Sequence, residues 1–205
     1  MRIVAGAWRG RVLVAPPGSV TRPTADRVRQ ALFDMLMHAE WAGRGVIEGA
    51  VVLDVFAGTG ALGLEALSRG AASASFIESD ANALRALRAN VAACKARDRA
   101  EILAVDVFQF SGGTGSPRRA GDASPASAAT DKERDDGPAT LVFLDPPYGQ
   151  DLVPRALARL QEAGRIRHGA LIVAEIAKDE TWIPDQPLLT ERQHGAARIL
   201  IFRAG

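Results

Sequence analysis

The chain contains few of the residues on which covalent and metal chemistry depends. Its single cysteine, Cys94, cannot form an internal disulfide, and its three histidines are scattered along 205 residues. No cysteine or histidine pair has the spacing of a zinc site, and the sequence has neither a Walker A loop nor a G-x-S-x-G elbow. These absences argue against a disulfide-stabilised protein, a zinc protein, a P-loop hydrolase and a serine hydrolase, and we expect no bound metal.

Long apolar runs are also missing from the sequence. No run of about 18 apolar residues is present to form a membrane-spanning helix, and residues 1–6 lack the long apolar segment of a secretory signal. We therefore expect a cytoplasmic protein with no membrane partner. The sequence does not specify an oligomeric state, and a monomer is the simplest expectation.

Positive charge is unevenly distributed, although the formal net charge of the chain is only +1. The first 44 residues contain seven arginines and three acidic residues. A basic segment of this kind suits the phosphate backbone of a nucleic acid, but arginines are also common on ordinary protein surfaces. Charge alone therefore leaves both interpretations open.

The pattern of the chain after residue 51 predicts an α/β fold, because short apolar runs typical of strands alternate with helical patterns. The last two runs have no helix between them and predict an antiparallel hairpin joined through His194 and Gly195. Helices are expected to begin at the capping residues Thr24, Asp80 and Asp151. We expect a Rossmann-like, mostly parallel sheet of seven strands, at residues 51–55, 74–77, 100–104, 141–144, 171–174, 188–193 and 198–202.

The chain divides into two expected parts. Residues 1–44 predict a basic arm, β-like with a turn near Gly10, followed by a helix, and residues 45–205 form the main domain. The segment 112–138 consists of Gly, Ser, Ala, Pro and mixed charges without hydrophobic periodicity. We expect it to be a disordered loop between the third and fourth strands.

A glycine-rich loop follows the first predicted strand. Gly58, Gly60 and Gly63 match the G-x-G-x-x-G pattern of a strand-to-helix turn that approaches a ligand, and Glu78 stands where an acid could bind ribose. Dinucleotide-binding proteins and methyltransferases both fit this pattern. Asp54 favours a methyltransferase, because a carboxylate would repel a pyrophosphate but could bind, directly or through water, the ammonium group of S-adenosylmethionine.

The tetrapeptide Asp145-Pro146-Pro147-Tyr148 follows the fourth strand, at the sheet edge where ligands bind in this fold. An acid and two prolines are also ordinary turn material. The Asp145 carboxylate and the Pro146 carbonyl could each accept one N–H of a planar amino group, which would direct its lone pair toward a methyl donor. Tyr148 could stack on the flat ring. The motif therefore predicts methylation of a planar exocyclic nitrogen.

These motifs together resemble a known family. The order acid-x-Phe-x-Gly-x-Gly is similar to the cofactor loop of class I methyltransferases. The whole combination resembles the RsmD family, bacterial enzymes that methylate guanine N2 in 16S ribosomal RNA. The matching segments are residues 8–11, 22–29, 54–63, 66–70 and 145–148.

The resemblance implies S-adenosylmethionine as the cofactor and 16S rRNA, or the assembling 30S subunit, as the partner. It also implies a guanine flipped out of folded RNA onto Asp145, Pro146 and Tyr148. The implied RNA contacts are Arg9, Arg11, Arg22 and Arg29. The implied cofactor contacts are Thr24, Asp54, Phe56, Ala57, Gly58, Gly60, Glu78, Asp106 and Val107.

Two departures from the family and three alternatives remain. The segment 112–138 is longer than the family needs, and His194 stands where a tyrosine is expected, so no function is carried to either. A DNA adenine-N6 or a protein glutamine methyltransferase could use the same tetrapeptide. Glutamine enzymes more typically begin it with Asn, and DNA enzymes usually carry a larger recognition region, so RNA is favoured. A non-catalytic nucleic-acid-binding module is the third alternative.

Overall fold

A computed structural model describes residues 1–16, 23–42, 45–110, 137–147 and 151–205, with the backbone alone for residues 23–25. Short 3-10 helices lie at Gly6–Trp8 and Val107–Gln109. The four helices are α1 (Pro23–His38), α2 (Ala61–Ser68), α3 (Ala81–Ala93) and α4 (Leu152–Glu162). The seven strands are β1 (Val51–Val55), β2 (Ser73–Glu78), β3 (Ala100–Ala104), β4 (Ala139–Leu144), β5 (Ile166–Ala177), β6 (Leu188–His194) and β7 (Ala197–Arg203).

The strands form one sheet in the order β3-β2-β1-β4-β5-β7-β6. Strands β1 to β5 are parallel, and β7 is antiparallel to both β5 and β6. The predicted α/β fold with seven strands and a C-terminal antiparallel hairpin is confirmed. The direction of winding reverses between β1 and β4, so the crevice outside their carboxyl ends is the expected ligand site.

Strand β5 is the element whose length departs most from prediction. The apolar run at 171–174 marks only its middle, whereas the strand extends from Ile166 to Ala177. Seven of its residues, from Leu171 to Ala177, pair with β7. Backbone pairing on this side carries the strand past its apolar run, and Glu175 is included for that reason.

Two of the three predicted helix starts agree with the structure, and one of the two has the expected side-chain cap. The Asp80 carboxylate accepts hydrogen bonds from the backbone N–H groups of Asn82 and Ala83, as expected of a cap. Helix α4 begins directly after Asp151, as predicted, but Asp151 has φ 50° and its side chain makes no capping bond. The prediction for Thr24 is wrong, because α1 begins at Pro23 and already includes Thr24. Proline suits the first helical position, where no N–H partner is needed.

Hydrophobic side chains cover both faces of the sheet. One cluster joins the arm residues Ile3 and Leu13 to α1, α2 and α3, and the other lies under α4. The arm itself has one β-bridge, between Arg2 and Val12. The arm therefore packs on the same core as the sheet, whereas the sequence predicts only a β-like segment with a turn near Gly10.

Some expectations fall on parts of the chain that lie outside the described residues. Most of the predicted loop at 112–138 is among them, and so are Arg22 and Tyr148. Within the described ranges, no helix combines the length and the apolar character needed to cross a bilayer.

Candidate active site

Asp54 and Asp145 lie on neighbouring strands at the carboxyl edge of the sheet. Val55 of β1 is the register partner of Leu144 of β4. The backbone N–H of Asp145 donates to the Val55 carbonyl at 3.5 Å. The glycine loop and the tetrapeptide, which are about 90 residues apart in sequence, therefore meet at the winding reversal.

Asp54 is buried, with 2% of its surface exposed. Its Oδ2 accepts a hydrogen bond of 2.8 Å from the backbone N–H of Gly63 in α2. Burial raises the pKa of Asp54 to about 8, and the charges of Asp145 and Glu78 raise it further against the lowering effect of the Gly63 bond. A cation placed beside this carboxylate would favour its ionised form.

Gly60 and Gly63 are required by packing. A Cβ on Gly63 would lie 2.4 Å from Cε1 of Phe76, and one on Gly60 would lie 2.4 Å from Cδ1 of Leu87. Gly60 also has φ 76°, which side chains other than glycine rarely adopt. These two glycines allow α2 to pack close to β2 and α3. Packing alone therefore accounts for them, whether or not a ligand binds.

Gly58 differs from the other two glycines. A Cβ there would meet no atom nearer than the Phe56 carbonyl oxygen at 3.9 Å, so this part of the loop faces open space. The Gly58 N–H donates to Oε2 of Glu78 at 2.8 Å. Phe56 has φ 60°, and the N–H of the next residue, Ala57, donates to the carbonyl of Ile77. These hydrogen bonds hold the loop at the end of β2, and its open side can receive a ligand.

Glu78 is held in a fixed position at the end of β2. Its Oε1 accepts the backbone N–H groups of Ser79 and Asp80, each at 2.8 Å, while Oε2 accepts that of Gly58. An ionised carboxylate has about four acceptor positions, so capacity remains for a ribose hydroxyl.

The segment after β3 closes the far side of this region. Val107 is buried, and Asp106 Oδ1 accepts the N–H of Phe108 at 3.0 Å, so Asp106 caps the short 3-10 helix Val107–Gln109. The rings of Phe108 and Phe56 are in contact, with 6.3 Å between their centroids. The guanidinium of Arg155 lies over the Phe108 ring, 4.4 Å from its centroid. Phe108 and Arg155 were not predicted, because their contact joins two elements distant in sequence.

The open face at Gly58, the buried acid at Asp54 and the fixed acid at Glu78 fit S-adenosylmethionine. The cofactor carries an ammonium group and ribose hydroxyls, for which carboxylates are suitable acceptors. Thr24 belongs to the first turn of α1, and its side chain lies outside the described residues.

Asp145 and Pro146 represent the predicted catalytic motif in the described part of the chain. Solvent can reach Asp145, while Pro146 is buried. Desolvation, followed by the charge of Glu175, raises the pKa of the Asp145 carboxyl to about 7. Such a carboxyl can change its protonation state near neutral pH. Glu175 was not predicted, since it follows the apolar run at 171–174 without any motif of its own.

The predicted RNA-binding arginines occupy different environments. Arg9 and Arg11 are exposed on the arm, and with Trp8 they line a recess of about 400 Å³. Arg11 Nη1 donates to the carbonyl of Ala93 at 2.6 Å. This recess belongs to the arm, and none of its described lining residues is a predicted cofactor or catalytic residue.

Arg29 is turned into the protein. Its side chain is 5% exposed, with Nη2 2.8 Å from Asp26 Oδ1 and Nε 3.7 Å from Glu65 Oε2. Nη2 also donates to the carbonyl of Arg2. This orientation does not favour the predicted contact with RNA. Across the described ranges, no group of three or more metal-ligating side chains is found.

Known proteins resemble this chain over nearly its whole length. The family model described as "Conserved hypothetical protein 95" matches residues 1–203. "Ribosomal RNA small subunit methyltransferase D" of Escherichia coli K12 is 36% identical over 187 residues, which are 91% of this chain and 79% of that protein. The protein of the same name from Haemophilus influenzae is 32% identical over 207 residues, 99% of this chain and 93% of that protein.

Solved structures show the same fold. "Putative methyltransferase yhhF" from Escherichia coli superposes with a TM-score of 0.75 at 34% identity, covering 100% of this chain and 97% of that one. An RNA methyltransferase from Salinibacter ruber in complex with S-adenosyl-L-homocysteine has a TM-score of 0.51 at 19% identity, covering 90% of this chain and 92% of that one. The second likeness concerns the fold alone.

Proposed function

Because this chain belongs to the family described as "Conserved hypothetical protein 95", whose model spans residues 1–203, we propose that it is an S-adenosylmethionine-dependent rRNA methyltransferase. We propose further that it modifies the exocyclic N2 of a guanine in 16S rRNA and acts in the cytoplasm. The observation that carries this proposal is the juxtaposition of Asp145 with the loop after Asp54 at one sheet edge. The named relatives support ribosomal RNA as the substrate.

The cofactor would be held by the loop and the strand ends around it. S-adenosylmethionine supplies a methyl group whose bond to a positively charged sulfur breaks as the acceptor nitrogen attacks. Asp54 would act on the ammonium end, Glu78 on the ribose, and Asp106 and Val107 on the adenine. The remaining proposed contacts are Thr24, Phe56, Ala57, Gly58 and Gly60.

Asp145 would act directly on the acceptor amine. The lone pair of a base amino group is delocalised into the ring, so the nitrogen is a weak nucleophile until its hydrogens are held out of the plane. The Asp145 carboxylate and the Pro146 carbonyl would accept one N–H each. With a pKa of about 7, Asp145 can also take up the proton that the methylated nitrogen loses. Tyr148 would stack on the ring.

The arm would place the RNA. Arg9 and Arg11 are exposed side by side on residues 1–16, which is the position expected of phosphate contacts. Arg22 stays in the proposal, and Arg29 is left out because it is buried against Asp26 and Glu65. On this view, residues 1–44 form an RNA-binding extension of the catalytic domain at 45–205.

The decisive experiment is transfer of labelled methyl groups to 16S RNA and to 30S particles from cells lacking the protein, followed by mass spectrometry of the nucleosides. We expect N2-methylguanosine at one position. Label in adenine alone, or in DNA alone, would reject the proposal. Calorimetry with S-adenosylmethionine tests the enzyme class separately, because a non-catalytic RNA-binding module would bind no cofactor. Asp145→Ala should bind cofactor but transfer no methyl.

A further inference from the structure

Glu175 lies beside Asp145 at the carboxyl edge of the sheet. Strands β4 and β5 are parallel, and the last register pair is Leu144 with Ala174. The next residue on each strand is an acid. Two carboxylates therefore stand side by side, Asp145 directly after β4 and Glu175 within the last residues of β5.

Both acids lie on the same face of the sheet. Phe143 and Val173 are register partners and belong to the hydrophobic cluster that includes α1. Side chains alternate along a strand, so residues two positions later, Asp145 and Glu175, face the same way. Leu144 and Ala174 point into the opposite cluster, under α4. Glu175 is half-buried, and its negative charge raises the pKa of the Asp145 carboxyl. The two carboxyl groups therefore interact.

A second acid at this place distinguishes the purine bases. The Watson–Crick edge of guanine carries an N1–H donor next to its N2 amino group. The corresponding edge of adenine carries an N1 acceptor next to its N6 amino group. An ionised carboxylate only accepts hydrogen bonds, so it pairs with the first arrangement and repels the second. Flipped bases are read on this edge.

We propose that Glu175 accepts the N1–H of the target guanine while Asp145 accepts an N2–H, and that Glu175 thereby selects guanine over adenine. This inference rests on the proposed guanine-N2 methylation. It locates base selection in a residue that the tetrapeptide does not contain. Glu175 would contact the substrate base without taking part in the methyl transfer itself.

The test uses 2-aminopurine, which keeps the 2-amino group of guanine but has an acceptor at N1. The probe is 16S RNA assembled by ligation, with 2-aminopurine in place of the guanosine that the methyl-transfer experiment identifies. We expect the wild-type protein to methylate guanosine at least about tenfold faster than 2-aminopurine. Glu175→Gln should bring the two rates toward equality, because an amide can either accept the N1–H or donate to an N1 acceptor.

Binding provides a second measurement that does not depend on methyl transfer. The fluorescence of 2-aminopurine reports its removal from the RNA stack, and Glu175→Gln should bind this RNA more tightly than the wild type does. Glu162→Gln, the same change in an exposed acid of α4, is the matched control and should keep the wild-type ratio.

The outcomes separate this inference from the proposed function. Equal rates on guanosine and 2-aminopurine in the wild type, or an unchanged ratio in Glu175→Gln, would overturn the role of Glu175 alone. A wild-type protein that methylates no guanosine would overturn the proposed function, and this inference with it. The comparison of the two RNAs uses the wild-type protein alone, so it does not depend on whether Glu175→Gln folds.

Discussion

Asn90 and Val14 are joined by two hydrogen bonds in opposite directions. The Oδ1 of Asn90 accepts the Val14 N–H at 2.7 Å, and its Nδ2 donates to the Val14 carbonyl at 2.9 Å. The same Nδ2 donates to the carbonyl of Thr59 in the glycine loop at 2.9 Å. One fully buried amide in α3 therefore holds both the end of the arm and the glycine loop.

The first prediction concerns this amide. Val14→Pro removes the N–H donor and leaves Asn90 Oδ1 buried without that bond, so we expect the free energy of unfolding to fall by about 1–3 kcal/mol. Cofactor binding should weaken as well, since Asn90 also holds Thr59. Urea unfolding and calorimetry measure the two effects. Val14→Ala keeps the N–H and changes a side chain that is 55% exposed, so equal losses in both variants would contradict the prediction.

Glu65 is the second attachment of the arm. Its carboxylate is fully buried and accepts the N–H groups of Val4 at 2.8 Å and Ala5 at 3.0 Å. It also pairs with Arg69 Nε at 2.8 Å and lies 3.7 Å from Arg29 Nε. The negative charge of Glu65 helps to compensate two buried arginines beneath the arm.

The second prediction is that Glu65→Ala destabilises the protein by about 3–5 kcal/mol, because the buried charges of Arg29 and Arg69 lose their fully buried partner and keep only the more exposed Asp26 and Asp34. Denaturant unfolding measures this loss, and limited proteolysis should show earlier cleavage within residues 1–16. Glu162→Ala, which breaks the exposed pair with Arg159, should cost less than about 1 kcal/mol. Similar losses in the two variants would show that the Glu65 network contributes no more than a surface pair.

Local patterns explain which features could be predicted from the sequence. Apolar runs and their alternation with helical patterns predict the strands, and a G-x-G-x-x-G loop after an acid predicts the proposed cofactor region. Asn90 and Glu65 escaped prediction because their partners are 76 and about 60 residues away along the chain. Arg29 was assigned to RNA because its ion pair with Glu65 of another helix has no local signature.

The third prediction concerns Arg9, which is exposed on the arm. If it contacts a phosphate, Arg9→Ala should weaken RNA binding similarly for different RNA sequences and lower the slope of log affinity against log salt by about 1. Filter binding over a range of salt concentrations measures the slope. The control is Arg167→Ala, which changes an exposed arginine at the N-terminal end of β5 and should leave the slope unchanged.

The fourth prediction is a pH dependence of methyl transfer. In the proposed mechanism the carboxylate form of Asp145 accepts the amine N–H, so kcat/KM should rise with pH around its pKa of about 7 and fall as the pH drops below it. Asp145→Asn should lose this dependence and be slower by about 100-fold or more. Asp179→Asn, an exposed control, should keep both the rate and the profile.

A second variant checks the origin of that midpoint. The charge of Glu175 contributes to the raised pKa of Asp145, so Glu175→Gln should move the midpoint of the profile to lower pH. A midpoint that stays in place would mean that Glu175 does not act on Asp145 in the working enzyme.

The fifth prediction concerns stability and the buried carboxyl of Asp54. Burial raises its pKa from 3.8 to about 8 in the folded protein, so the folded state holds the proton more tightly than the unfolded chain. The resulting stabilisation is fully present below pH 3.8 and is lost as the pH rises through about 8. Asparagine cannot ionise and keeps an acceptor for the Gly63 N–H. Without cofactor, Asp54→Asn should therefore gain stability relative to the wild type as the pH rises from about 4 to about 8, and the difference should level off above that range.

Urea unfolding of both proteins at a series of pH values measures this difference, and Asp98→Asn, an exposed acid, should show no such trend. At pH 8 added cofactor should make the wild type more stable than Asp54→Asn. The ammonium group of the cofactor would favour an ionised Asp54, so the cofactor would bind the variant less tightly. A difference that does not change with pH would mean that Asp54 remains ionised in the free protein. The Gly63 hydrogen bond would then outweigh burial, and the acid at the end of β1 would need no cation beside it to keep its charge.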